Sequence, residues 1–460
     1  MKVKTFSAIV IFFIFSLTLV IVLINFKKNY KNENQNIQKD NKNYDFLVYN
    51  TNPDFKDSFD KISEEYKNVS GIVPAFVTKN SDLLYDFDSK NFPDIFMIKN
   101  FDELKSQKQY GNVFDFLNAS EKTFQEVAMS IPEKLRLKIS DINNCGIPLT
   151  IKSCGIIIDP KVISSIFSDD VHKSVINDLR TCSYEDFGNF TKIKKLSSIK
   201  INDREYEVNN DFSNNLEATF LFHTEISFAK LLNNILSSLF DSAFDLSNQY
   251  DISKMSGYFV NWIQALDLIS SNTPYGRGKD LVDLNVNSKK SAIKKFTEGK
   301  HIFLIGEDND FYEIKEIDQA VASRLTFIPF KTPNTINSKL TIYCPYYFLI
   351  NAKSEKKKMA QDFLTWLITS STAQKHLIEK MNFVSYNLRD VGVLENSLSR
   401  STFMYLQSDS VFFPVFQGAK KNWNNLVSKR LIDNYLSAKT WTENDYKNFD
   451  SYCIRRWTYN

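Results

Sequence analysis

"INAKSEKKKMAQDFLTWLITSSTAQKHLIEKMNFVSYN", residues 350–387, closes the apolar run "LTIYCPYYFLI" and carries two helical patterns. Ala360, Phe363, Leu364 and Leu367 fall at i, i+3, i+4 and i+7, one stripe of a 3.6-residue helix. Ser371-Thr372-Ala373-Gln374 reads as a capping box, the serine hydroxyl taking the N3 amide proton and the glutamine reaching back to the cap. Ala373, Leu377, Ile378 and Met381 give the second helix its apolar face. Lys356–Lys358 read as the solvated first turn of the first helix. Two helices joined by a short polar turn suit a DNA-reading pair, a membrane-surface hairpin or plain scaffold. The rest of the chain decides.

A chain of 460 residues, 43% hydrophobic and 24% charged, has the composition of two or three globular domains. Lys+Arg number 57 against 54 Asp+Glu, a net +3. Lys2, Lys4, Lys27 and Lys28 alone account for that excess, so no basic face able to neutralise many phosphates remains. Nucleic acid is therefore not an expected partner. The five cysteines, Cys145, Cys154, Cys182, Cys344 and Cys453, form no C-x-x-C pair, which excludes a zinc ribbon or finger. Cys145 and Cys154 flank a short extended segment. They read as small buried hydrophobes, with a disulfide between them as the alternative.

Thr5–Phe26, "TFSAIVIFFIFSLTLVIVLINF", is apolar and uncharged. As a helix it measures about 33 Å, against about 30 Å for a hydrocarbon core. No small-residue cleavage site and no lipid-accepting cysteine follow it, so an uncleaved membrane anchor (residues 1–28) is expected. Lysines flank both ends, which leaves orientation open. Residues 29–43, "NYKNENQNIQKDNKN", lack an apolar pattern and read as a polar tether.

From Tyr44 strands and helices alternate. "YDFLVY" is a strand; Asn52 caps the helix that follows, Pro53 fits its first position, and Phe55, Phe59, Ile62 and Tyr66 form its buried stripe. "GIVPAFV" is a strand, "SDLLYDFDS" a short helix and "FPDIFMI" a third strand. Such alternation predicts right-handed crossovers and a parallel sheet covered on both faces. Ligands bind such sheets at the carboxyl ends of strands, which directs attention to Asn50, Thr51, Asn52, Lys99 and Asn100. "CGIPLTIKSCGIIIDPKVI" reads as two extended runs interrupted by "KSCG", and "SYEDFGNF" as a helix capped near Ser183. Residues 201–269 read as mostly helical. "KSAIKKFTEGKHIFLIG" is a helix ending at Gly299 and running into a strand, and Pro345 interrupts "LTIYCPYYFLI". The last sixty residues read as helices around Trp423, Trp441 and Trp457.

No catalytic constellation stands out. His172, His223, His301 and His376 are scattered, H-E-x-x-H and G-x-S-x-G are absent, and "YGRGKD" lacks the spacing of a phosphate loop. No enzyme activity and no cofactor are expected.

The order of segments resembles the extracellular solute-binding proteins of family 1, the maltose-binding-like group. The resemblance rests on the capped first helix, "FPDIFMI", "GIPLTIKSCGIIIDPKVI", "SYEDFGNF", "AIKKFTEGKHIFLIG" and the quoted helix pair, and covers most of residues 44–460. It implies an α/β, two-lobed periplasmic-binding-protein-like fold with the ligand between the lobes, preceded by the N-terminal transmembrane helix. The helix pair is then scaffold. Lobe 1 would comprise residues 44–150 and 346–400, lobe 2 residues 151–345 and 401–460, with crossings near Ile147–Gly155 and Tyr343–Tyr347. The implied role is to capture a small molecule, most often a mono- or oligosaccharide, and present it outside the cell to an ABC transporter permease. A sensor subunit of the same fold and a surface glycosidase are the alternatives, the latter needing two convergent carboxylates. Beside the strand-end residues, the resemblance brings in Lys152, where some members carry a carboxylate. Asp308 and Asn309 of "GEDND" replace a stacking tryptophan, Tyr346 lies in a crossing, and Trp423 stands where a ring-stacking aromatic often lies.

Overall fold

The computed structural model describes residues 44–78, 92–98, 113–137, 142, 144–221, 257–283, 286, 288–333, 339–388, 390–412 and 421–459. The chain begins with β1 (Phe46–Asn50), α1 (Lys56–Ser70), β2 (Pro74–Thr78), β3 (Ile95–Ile98), α2 (Lys122–Ser130) and β4 (Ile147–Pro148). It continues with β5 (Lys152–Ile158), α3 (Pro160–Phe167), α4 (His172–Thr181), α5 (Tyr184–Phe190), β6 (Ser198–Ile201), β7 (Arg204–Glu207) and β8 (Ala218–Leu221). Then come α6 (Tyr258–Ser271), α7 (Lys289–Thr297), β9 (His301–Glu307), α8 (Asp310–Ile317), α9 (Gln319–Arg324), β10 (Thr326–Ile328) and β11 (Leu340–Tyr343). Last are β12 (Tyr347–Ile350), α10 (Lys357–Thr369), α11 (Ser371–Met381), α12 (Ser397–Gln407), β13 (Val411–Phe412), α13 (Lys421–Arg430) and α14 (Glu443–Tyr459).

Two mixed sheets organise these elements. The first has the order β2-β1-β3-β12-β4: β1 runs parallel to β2 and β3, and β12 antiparallel to β3 and β4. The second has the order β13-β11-β5-β9-β8, with β10 also on β5. The chain passes from the first sheet to the second between β4 and β5 and returns between β11 and β12. It crosses again after α11, because α12 packs on β5, β10 and β11.

Local chemistry sets the helix ends. Asn52 has extended backbone and its side chain accepts from the Asp54 N–H, while Pro53 opens a 3-10 turn that leads into α1. Phe59, Ile62 and Tyr66 are buried, with Phe59 stacked flat on Phe76 at 4.7 Å. Ala360, Phe363, Leu364 and Leu367 are buried along α10, and the Phe363 ring meets Phe46, Tyr66 and Phe76. The helix pair is thus scaffold over the first sheet. Its second helix is capped one residue earlier than the sequence suggests: Ser370 accepts from the Ala373 N–H, and the Gln374 amide turns to the Ile368 carbonyl of α10.

Two further expectations are corrected. "KSCG" does not interrupt the second extended run; Lys152–Ile158 is one continuous strand, buried on both faces. Its odd and even residues serve different cores, with Ile157 facing a cluster shared with the first sheet and Ile156 and Ile158 a second cluster. Residues 201–221 are mostly extended, with one short helical turn at Asn210–Ser213: β6 and β7 form an antiparallel hairpin, and β8 lies parallel to β9. Asn202 and Asp203 take the left-handed turn that a two-residue hairpin needs. Ser183 caps α5 and the strand pair breaks at Pro345, as the sequence indicates. All five cysteines are buried thiols and none is bridged.

The anchor (1–28), the tether (29–43), "SDLLYDFDS", Lys99 and Asn100 lie outside the described residues. Among the described residues no helix is long and apolar enough to cross a membrane.

His301 opens β9 fully buried, its Nδ1 3.4 Å from the Lys295 carbonyl and its Nε2 3.9 Å from the half-exposed Glu217 carboxylate. Burial holds its pKa below the usual value. The unfolded chain therefore binds that proton more readily, and the histidine's contribution to stability, full above about pH 6.5, is lost as pH falls. We expect the loss of melting temperature between about pH 7.5 and pH 5.5 to shrink in His301→Asn. An equal loss in both proteins, followed by circular dichroism, would contradict this.

Candidate functional site at the lobe crossings

The three crossing segments lie side by side. The Leu149 N–H donates to the Tyr346 carbonyl at 3.0 Å and the Ile151 N–H to the Val384 carbonyl at 2.8 Å. The Val384 N–H returns to the Thr150 hydroxyl at 2.9 Å, between buried groups. The first crossing is thereby bonded on one side to the second and on the other to the third.

On the first-sheet side, Asn50, Asn52 and Tyr346 come together. The Asn50 side chain is buried at the end of β1 and exchanges bonds with the backbone of Asn52, donating at 2.6 Å and accepting at 2.9 Å. Asn52, besides capping α1, donates from Nδ2 to the Tyr346 hydroxyl at 3.3 Å. Tyr346 stacks on Phe383 at 5.6 Å and 25°, and Phe55 meets both rings edge-on. Thr51 sits within this turn, its hydroxyl oxygen enclosed and without a hydrogen-bond partner among the described residues. Phe383 was not anticipated as part of the site. Its position is fixed by Asn382, which ends α11 in the left-handed conformation (φ 53°) while the Phe383 N–H reaches back to the Leu377 carbonyl at 3.0 Å.

On the second-sheet side, Lys152, Asp308 and Asn309 also converge. Lys152 begins β5; its Nζ donates to Asn309 Oδ1 at 2.8 Å and to the Asn382 carbonyl at 3.0 Å, and lies 3.5 Å from Asp308 Oδ2. Asp308 is 1% exposed. Burial pushes its carboxyl above the usual carboxylate range, and Lys152 pulls it back. Its backbone N–H goes to the Ser153 carbonyl, and its own carbonyl accepts from Asn396 at 2.9 Å. The turn is tight because Gly306 has no side chain: a Cβ there would come within 2.4 Å of Asp310 Oδ2, which accepts from the Glu307 N–H. Tyr312, on α8, donates to the Asn382 side chain. Asn382 is therefore held twice from the second lobe, a clasp that sequence reading did not find. Only the αL preference of asparagine after an apolar helix could have signalled it.

Lys99 and Asn100 follow β3 outside the described residues. The helix that carries Trp423 is described but that side chain is not. Among the described residues no group of histidine, cysteine and acidic side chains could hold a metal. What the described surface offers is amide and hydroxyl edges beside a stacked aromatic group, the chemistry that suits a hydroxylated ring.

No family model matches the sequence, and no curated protein matches it. Solved structures do. A family 1 extracellular solute-binding protein from Bifidobacterium longum subsp. infantis aligns over 90% of this chain and 98% of its own at 12% identity, with a TM-score of 0.59. The extracellular solute-binding protein of Staphylococcus aureus in complex with maltose aligns over 91% and 98% at 12% identity, TM-score 0.57. The binding protein MsmE of Bacillus subtilis, in an open conformation, aligns over 90% and 96%, also at 12% identity and a TM-score of 0.57. At such identity the likeness is one of fold, and the chain has the two-lobed α/β fold of the family 1 extracellular solute-binding proteins.

Proposed function

We propose that this protein captures a carbohydrate between its lobes outside the cytoplasm and presents it to an ABC transporter permease, held at the membrane by Thr5–Phe26. The observation that carries the reading is the ribbon of three hydrogen-bonded crossings with polar and aromatic groups from both lobes at its faces. Solved relatives in fold hold maltose and raffinose, which supports a saccharide. In this reading lobe 1 is built from residues 44–150 and 346–400 and lobe 2 from 151–345 and 401–460, except that α12, which begins before that last boundary at Ser397, packs on the second sheet. Asn50, Thr51, Asn52 and Tyr346 offer the polar and stacking contacts of the first lobe, with Lys99 and Asn100 beside them in sequence terms. Lys152, Asp308 and Asn309 stand opposite, most of their bonding capacity already spent on each other and on Asn382. Trp423 supplies a second stacking face.

A thermal-shift screen of the protein against sugars, polyols, sugar phosphates and peptides tests the reading. One sugar should raise the melting transition, by about 2.7 kcal/mol of stabilisation at a hundred times Kd. The same sugar should reduce the radius of gyration in solution scattering, as the lobes close on the crossings. A saturated protein with an unchanged radius would refute hinge closure.

Trp423→Ala should weaken that sugar tenfold or more, about 1.4 kcal/mol, and leave the ligand-free melting temperature nearly unchanged. Truncating a core tryptophan instead costs about 3–5 kcal/mol of stability. A far lower ligand-free transition with normal residual affinity would remove Trp423 from the site.

A further inference from the structure

A cavity of about 320 Å3 lies at the third crossing, walled by the end of α11, the start of α12, Tyr312 of α8 and the segment before α12. None of Asn50, Asn52, Lys152, Asp308, Asn309 or Tyr346 lines it; it adjoins the crossings through Tyr312, Asn382 and Val384. Its size is at the lower end of small-molecule pockets, about 300 Å3 and upward, and it sits between lobes, where such sites concentrate.

The lining chemistry is selective. Ile378, Val384 and Leu394 supply apolar surface, and Glu379 and Glu395 supply two carboxylates; no lysine, arginine or histidine lines it. Most of the neutral polar groups are already used, both oxygens of Asn382 included. The Tyr312 hydroxyl is committed to Asn382, and the Asn396 amide donates to the Asp308 carbonyl while its oxygen caps α12. The Ser399 hydroxyl turns away to Asp308 Oδ2 at 3.4 Å. Asp308 itself is buried behind this wall, and its Oδ1 has no hydrogen-bond partner among the described residues. A neutral polyol entering the cavity would find few unspent partners and bear the cost of desolvating its hydroxyls. An ammonium group finds carboxylate acceptors at Glu379 and Glu395, and an alkyl chain finds the apolar wall.

We propose that this cavity is a second ligand site, taking a small aliphatic amine. Its present competitors are two surface lysines: Lys315, from the neighbouring groove, pairs with Glu395, and Lys375 stands 3.8 Å from Glu379. Exposed pairs of this kind hold by about 0–1 kcal/mol, so a guest ammonium can displace them. The guest would touch α11 on one lobe and α8 or α12 on the other. If the lobes capture a sugar as proposed above, amine and sugar affinities are therefore coupled, and reciprocally so.

The test is calorimetric titration of the full-length protein in detergent with putrescine and, in parallel, with the uncharged 1,4-butanediol, no sugar being present. Putrescine should bind and butanediol should not. Glu379→Gln with Glu395→Gln should weaken putrescine at least tenfold, and Lys315→Ala should tighten it, since it frees Glu395. Both carboxylates are more than half exposed, so these variants leave the fold intact. No binding of putrescine at millimolar concentration, equal binding of the diol, or indifference to the glutamine pair each overturns the proposal. Because no sugar enters the titration, failure here leaves the carbohydrate reading standing, and a failed sugar screen leaves the amine site standing.

Discussion

The amides of Leu149 and Ile151 lie where water cannot reach them, and a buried N–H must find an acceptor. They find Tyr346 on one side and Val384 on the other. That requirement joins chain segments about two hundred residues apart into one ribbon. It fixes where β4 and β5 diverge, where β12 re-enters the first sheet and where α11 must end. Thr150 completes the set by accepting from Val384, which a valine of similar shape could not do. The two sheets are thus joined by a strip of backbone bonding as well as by an apolar cluster that both share.

Charge is arranged around this strip with few alternatives. Lys152 enters it with three oxygens in reach of its ammonium, two from the turn after β9 and one from the end of α11. A pair such as Lys152 and Asp308, removed from water, adds little net stability but makes loss of either partner costly. The neighbouring Asp310 repeats the pattern with Lys289 at 2.7 Å, and burial raises its carboxyl while that lysine opposes the rise. Two adjacent buried carboxylates, each matched by its own lysine, hold the turn after β9 in one shape. Glu307, half-buried at the end of β9, shares a hydrogen bond with the Tyr343 hydroxyl. The strand ends of the second lobe are thereby held in one arrangement.

Much of this fold was legible because its signals are local. The stripe Ala360–Leu367, the cap at Asn52 and the break at Pro345 depend on neighbours within a few residues, and the structure has all three. "KSCG" misled because glycine and polar residues suggest a break, whereas here Gly155 is needed in a strand against which Leu340 and Phe327 pack closely. The hairpin at residues 198–207 and strand β8 were missed for the opposite reason: short strands flanked by aromatic, helix-tolerant sequence carry too few periods to count. At the site, strand-end reasoning pointed to Asn50 and Asn52 and the family resemblance to Lys152, Asp308 and Asn309, and the structure places both sets beside the crossings. The clasp on Asn382 was invisible, because its partners Lys152 and Tyr312 are 230 and 70 residues away. Long-range partnership leaves no period in a sequence.

The order of strands in the first sheet has a consequence for biosynthesis. β12 lies between β3 and β4, yet it is made some two hundred residues after them, once nearly all of the second sheet exists. Until then the nascent first lobe has an open seam, with the β3 edge unpaired and Phe348, Leu349 and Ile350 not yet present to cover Phe96 and Met97. Unpaired edges with apolar flanks are where chains associate wrongly. The amino-terminal lobe therefore cannot finish folding as it emerges. It must wait for the returning strand, and any helper that shields it has to act over the whole synthesis of the second lobe.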